Sequence, residues 1–258
     1  MKKLIYILIS ILLFNCKSEK KEIFQEYNGQ LVKVEFDDSK IDSTFTGYGG
    51  EHYPNGNLKS LSYIKNGILT DTLFCYYYNG KIKEKGLIKN SLPIGWWTYY
   101  NDKGKLTEKS EWLILRDSSY KNQSIYYDQN GKIKHKNSSF FNIKISDTIQ
   151  VGKNIASFDY NSNIEVYKKL MYVVIENQYT ENEIKLDTFG IEDDDYRFGI
   201  YGFKKGNQKI KGQIVEELYE IKNIGNDSAI GTISNHKKYF EKEVYVSDKI
   251  TNHNNLYN

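Results

Sequence analysis

The sequence is sparing with several residue types and patterns. It holds two prolines, Pro54 and Pro93, two cysteines, Cys16 and Cys75, and two arginines, Arg116 and Arg197. With so few arginines the planar, two-pronged donor that grips phosphate is nearly absent. Removing Lys2 and Lys3 of the leading segment from the 36 Lys and Arg leaves 34 basic against 33 acidic side chains. That balance concentrates no positive field and excludes a dedicated nucleic-acid binder. No long helical periodicity runs through the chain. Neither G-x-S-x-G nor a phosphate-binding Walker loop occurs, and "GYGG" (47 to 50) reads as a flexible approach to the first of the sequence repeats. The four histidines, His52, His135, His236 and His253, have no partners at metal-ligand spacing. "EDDD" (192 to 195) lacks the alternating acids and central glycine of a calcium loop and reads as a solvated turn. No motif-defined catalyst, metal site or cofactor site is signalled. The expected class is a non-enzyme.

Aromatic surface is plentiful. The 258 residues include 23 Tyr, 12 Phe and 3 Trp, enough ring area to bury a core despite a mean hydropathy of -0.64. The length favours two domains. β-branched and aromatic residues recur in short runs broken by Asn-Gly pairs, which is the vocabulary of strands and turns.

The chain begins "MKKLIYILISILLFNC". Lys2 and Lys3 precede an apolar run from Leu4 to Phe14 that ends at Cys16. As a helix this run would rise about 16 Å, well short of a bilayer core. It therefore reads as a secretion signal. "LFNC" resembles the lipobox of bacterial lipoproteins, with Asn15 where a small residue is usual. The resemblance implies that Cys16 is acylated and becomes the new N-terminus, and that the protein partners the membrane through this anchor. Lys17 stands where an inner-membrane retention aspartate would stand, which implies an outer-membrane lipoprotein of the bacterial envelope. Residues 17 to 46 then form a tether and leading segment. Cys75, in "LFCYYY", would be the one remaining cysteine and reads as a packed, inert thiol.

The strongest signal is periodic. "YPNGNLK" (53 to 59), "YYNGKIK" (77 to 83), "NDKGKLT" (101 to 107) and "DQNGKIK" (128 to 134) place Gly56, Gly80, Gly104 and Gly131 at steps of 24, 24 and 27. "KNG" (65 to 67, with Asn66 and Gly67), "KNS" (89 to 91) and "RDS" (116 to 118) form a second series between them. Asn-Gly pairs such as Asn55-Gly56, Asn79-Gly80 and Asn130-Gly131 predict type I′ hairpin turns, in which both central residues take positive φ. Turns at both ends of every run predict an antiparallel meander over 47 to 137. Rings enter each turn in "LFCYYY" (73 to 78), "WWTYY" (96 to 100) and "IYY" (125 to 127), and their recurrence predicts cross-strand ring ladders. Trp96, Trp97, Tyr99 and Tyr100 form the candidate binding surface. "YPNGNLKSLSYIKNG" and "YYNGKIKEKG" resemble the MORN repeat variant of bacterial proteins. The resemblance implies a scaffold without shared catalytic residues.

Residues 140 to 250 change pattern. "FFNIKI", "IASFDY", "IEVYKK", "MYVVIEN", "EIKLDTF", "YRFGIYGF", "IKGQIVEELYEI" and "YFEKEVYV" are candidate strands of a β-sandwich. "KKGNQKIKGQIVE" (204 to 216) resembles the closing hairpin of an immunoglobulin-like domain. "NIGNDSAIGTISN" (223 to 235) reads as a long loop, and 251 to 258 as a disordered tail. The whole is expected to be all-β, a meander of tandem hairpins followed by an Ig-like β-sandwich. The expected role is a non-catalytic binding or scaffold module for protein or cell-wall glycan. Members of the repeat family labelled as antitoxins imply an immunity-type inhibitor as a second reading, and an envelope hydrolase is a third.

Overall fold

The computed structural model describes residues 23–27, 30–34, 44–223 and 229–248. Cys16, the tether over 17–22, His253 and the tail lie outside the described residues. A first hairpin pairs β1 (Ile23–Tyr27) with β2 (Gln30–Val34). Next comes a seven-stranded antiparallel meander: β3 (Gly47–His52), β4 (Leu58–Lys65), β5 (Ile68–Tyr76), β6 (Ile82–Lys89), β7 (Leu92–Tyr100), β8 (Leu106–Leu115) and β9 (Ser118–Tyr126). A single 3-10 turn, His135–Asn137, leads into the second unit.

That second unit is a sandwich of two sheets. One has three strands in the order β10 (Phe140–Lys144), β12 (Gly152–Asn161), β15 (Arg197–Gly202). The other has five in the order β11 (Thr148–Gln150), β17 (Ala229–Ser247), β16 (Gly206–Asn223), β13 (Lys168–Thr180), β14 (Glu183–Ile191). Between them lies the larger core, in which Val173, Ile175, Ile210, Ile214 and Val246 have no measurable exposure. Phe158 and Phe198 pack their rings into it.

The meander's turns differ from the expected type. At Gly56, Gly80, Gly104 and Gly131 only the glycine takes positive φ, from +80° to +85°. Each loop has three residues, with the glycine N–H donating three residues back, as from Gly56 to Tyr53 at 2.9 Å. This is a type I turn closed by a glycine bulge, a geometry that accepts Pro54 in its first corner. Type I′ geometry belongs to the other series: both residues are positive at Asn66-Gly67, Asn90-Ser91 and Arg116-Asp117. There the strands are joined by two residues, so both must turn left-handed.

Three further expectations are corrected. "GYGG" is strand β3 itself, because glycine lets it lie close to β4: a Cβ on Gly50 would stand 2.2 Å from the Ser60 carbonyl oxygen. Ile164 to Tyr167 is irregular, and strand pairing starts only at Lys168. From Ala229 to Asn235 the expected loop is strand, because the β16–β17 hairpin continues in register up to the Asn223–Ala229 pair.

Candidate functional site

The four candidate rings do not form one platform. Consecutive strand residues point to opposite faces, so Trp96 is 44% exposed on one face while Trp97, 6% exposed, is buried on the other. Trp97 lies against Gly86 of β6, where a Cβ would meet its ring at 2.3 Å. Its indole N–H donates to the Leu87 carbonyl at 3.0 Å. Tyr99 shares its face, with ring centroids 6.4 Å apart. Half-buried Tyr100 lies on the Trp96 side, and its carbonyl accepts from the Tyr77 hydroxyl at 2.8 Å.

Nor do equivalent rings stack in ladders. One repeat spans two strands, so equivalent positions lie about 9.6 Å apart, beyond the roughly 7 Å limit for ring contact. Tyrosines in the first two turns bridge that gap by hydrogen bonds, and the Tyr53 ring also meets the non-equivalent Tyr78 edge-on at 5.3 Å. Tyr53 donates to the Tyr76 carbonyl at 2.9 Å, as Tyr77 does to that of Tyr100. Asn79 repeats the link one residue group further on, donating to the Asp102 carbonyl at 2.9 Å.

Opposite Tyr99 stand carboxylates. The register runs Glu51, Ser60, Cys75, Glu84, Tyr99, Glu108, Tyr126, one residue from each of the seven strands in a single row across one face. Register shifts in each of these pairings set the row, and two of them are larger. Between the Leu61–Phe74 and Tyr63–Thr70 pairs β5 carries extra residues, with Asp71 at φ +65°. The same step recurs between Lys85–Thr98 and Leu87–Ile94, with Gly95 at +67°.

Around Glu108 the row is tightly bonded. Lys121 lies 2.8 Å from its Oε1, and Ser110 donates to the same oxygen at 2.5 Å. The Lys121 ammonium also sits 5.3 Å from the centre of the Trp112 ring, a cation–π contact. Burial disfavours the Lys121 charge, but the Glu108 carboxylate outweighs it and holds the ammonium above its ordinary pKa. Burial pushes the Tyr99 phenol up, and does the same at Tyr126 with Glu108 adding to it. Cys75 is a free, half-buried thiol pushed up to about 11, first by burial and then by Glu84. It is a poor nucleophile at neutral pH.

At Tyr126 the row opens into a cleft of about 320 Å³ lined by Ser124, Tyr126, Lys134, Lys136, Asn137 and Asn163. Row and cleft together offer ring faces, carboxylate acceptors, amide groups and two ammonium donors. Such a surface suits a ligand rich in hydroxyls with apolar C–H faces. Sequence reasoning singled out Tyr99 but missed Glu84, Glu108, Trp112, Lys121 and Tyr126. The 24-residue spacing of Glu84 and Glu108 was the available signal.

Elsewhere, "EDDD" closes as a tight turn, with Asp195 N–H donating to the Glu192 carbonyl at 2.9 Å and Asp195 paired to Arg197 at 2.6 Å. Among the described residues no group of three or more His, Cys, Asp or Glu side chains converges to hold a metal ion. Among them, too, no helix is long and apolar enough to cross a membrane. Compared with known proteins, the chain matches no family model, no curated protein and no solved structure.

Proposed function

We propose that this chain is an envelope lipoprotein, anchored through Cys16, that acts as a non-catalytic module binding cell-wall glycan. The observation that carries this reading is the Glu84–Tyr99–Glu108–Tyr126 row running into the cleft at Lys134 and Lys136. Ring faces would pack on the C–H faces of sugar rings, while Glu84 and the cleft amides accept or donate to hydroxyls. Lys134 and Lys136 would receive an acidic substituent. The repeat units, which resemble the MORN variant, supply a rigid surface on which the row is built.

Co-sedimentation with insoluble cell-wall glycan tests the reading. The wild-type chain is expected in the pellet and a Glu84→Gln/Tyr126→Ala variant in the supernatant; a wild-type chain left in the supernatant contradicts it. The anchor has its own test, since a Cys16→Ser variant is expected to leave the membrane fraction, and its retention there contradicts acylation.

A further inference from the structure

The five-stranded sheet of the sandwich ends on β14, and among the described residues no strand pairs with its outer edge. This strand has nine residues and no proline, and it shows solvent Ile184 and Leu186, 65% and 67% exposed. An open edge of this length and apolarity is a template for another strand. Charged residues usually blunt such edges, because a second copy meets like charge. Here the charges are arranged the other way.

The strand reads Glu183-Ile184-Lys185-Leu186-Asp187-Thr188-Phe189. Set antiparallel to a copy of itself with Leu186 opposite Leu186, it places each Lys185 across from an Asp187. Ile184 then faces Thr188, and Glu183 faces Phe189. Moving the centre to Lys185 sets lysine on lysine and Glu183 on Asp187. Moving it to Asp187 sets aspartate on aspartate. Registers centred between residues bring the Ile184/Leu186 face against the Lys185/Asp187 face, since a one-residue slip exchanges the two sides of a strand. Of these registers only the one centred on Leu186 sets opposite charges across from each other with the two faces aligned.

The side chains are prepared for it. Asp187 is fixed at the edge by two bonds to its Oδ2, from Asn177 at 2.7 Å and from Tyr179 at 2.6 Å. The Lys185 side chain is 60% exposed and held by Glu183 at 3.0 Å, on the face that Asp187 of a second copy would approach.

We propose that two copies of the chain join edge to edge through β14, in a two-fold antiparallel pair centred on Leu186. The pairing is isologous, and it fuses two five-stranded sheets into one of ten, within the range that open sheets tolerate. It sets the two Leu186 side chains beside each other and Ile184 beside Thr188, and closes the β14 edge. The inference stands apart from the glycan reading, although a dimer would carry two ligand rows and bind a polymeric ligand with the gain of bivalency.

Register-specific crosslinking tests it, on the full chain in mild detergent with Cys16→Ser and Cys75→Ser as background. Paired residues of antiparallel strands have Cα atoms about 4.5 to 5.5 Å apart, within disulfide reach. Leu186→Cys is expected to form a disulfide-linked dimer on mild oxidation. Ile184→Cys alone is not, whereas an equal mixture of Ile184→Cys and Thr188→Cys chains is. Leu186→Lys is expected to weaken association at least a hundredfold by light scattering while its thermal unfolding stays that of the parent. A parent chain that is monomeric at its highest soluble concentration overturns the proposal. So does a dimer in which Leu186→Cys stays reduced, or one that Leu186→Lys leaves intact.

Discussion

Asn122 of β9 spends both ends of its amide on the backbone of Tyr239 in β17: its Oδ1 accepts the Tyr239 N–H at 2.7 Å, and its Nδ2 donates to the Tyr239 carbonyl at 2.8 Å. The side chain thus takes the place of a strand along the open edge of the sandwich. Tyr120 extends the arrangement, its hydroxyl donating to the Lys237 carbonyl and its ring meeting Tyr239 edge-on at 5.7 Å. Lys238, 1% exposed, donates to the carbonyls of Asn122 at 3.0 Å and Ser139 at 3.1 Å. Repeat sheet and sandwich are joined by polar groups that find their partners across the junction.

Replacing Asn122 by Leu would leave the Tyr239 N–H and carbonyl without this partner in a buried setting. A loss of about 2 to 4 kcal/mol is expected, from one to three for each orphaned group less what relaxation recovers. Urea unfolding measures it. A change below about 0.5 kcal/mol, the size of an ordinary surface substitution, would show that the junction does not depend on this amide.

Within the sandwich a buried carboxylate reports on pH. Glu216 has no exposed side-chain surface and faces His236 at 2.7 Å and Lys169 at 3.2 Å. Burial alone would raise its pKa, but bonds from His236 and Ser162 and the Lys169 charge hold it down, from 4.5 to about 2. A carboxyl depressed on folding contributes stability that is complete above its unfolded pKa and disappears as pH falls through its folded one. The contribution is on the order of 3 kcal/mol, lost between about pH 4.5 and 2. Glu216→Gln is expected to be less stable at neutral pH and to lose less on acidification over that window. An acid profile identical to the wild type would contradict it. Lys238 acts in the same sense at higher pH: burial pushes its ammonium from 10.5 down to about 8, so stability grows as pH rises from about 8 toward 10.5.

Gly86→Ala tests the packing that separates Trp97 from Trp96. A Cβ there would meet the Trp97 ring at 2.3 Å, too close for any side-chain contact. A destabilisation of about 1 to 3 kcal/mol is expected, with a red shift of the tryptophan emission as Trp97 moves toward water. Unchanged stability and emission would place the ring elsewhere.

The architecture was legible where it depends on neighbours in sequence. Gly56, Gly80, Gly104 and Gly131 mark tight reversals whatever the rest of the chain does, so the meander could be read from their spacing. Even there, Asn-Gly signals a turn without distinguishing a two-residue loop from a three-residue one. The row from Glu84 to Tyr126 was hidden because it depends on which residues oppose one another. The irregular steps at Asp71 and Gly95 shift that pairing, and neither has a strong signal. Asn122 and Lys238 are separated by more than a hundred residues in sequence. No local pattern marks either as buried, and a polar strand residue is ordinarily taken to face water.

The most direct measurement of the central claim is a titration of intrinsic fluorescence with soluble cell-wall glycan fragments, comparing the two faces of β7. A saturable emission change is expected in the wild type. Tyr99→Leu should weaken binding about tenfold or more, equivalent to at least 1.4 kcal/mol, without altering thermal unfolding, and Trp96→Ala on the opposite face should leave affinity unchanged. A wild-type chain whose emission does not respond, or an affinity that follows Trp96 and ignores Tyr99, would contradict the assignment of the ligand row.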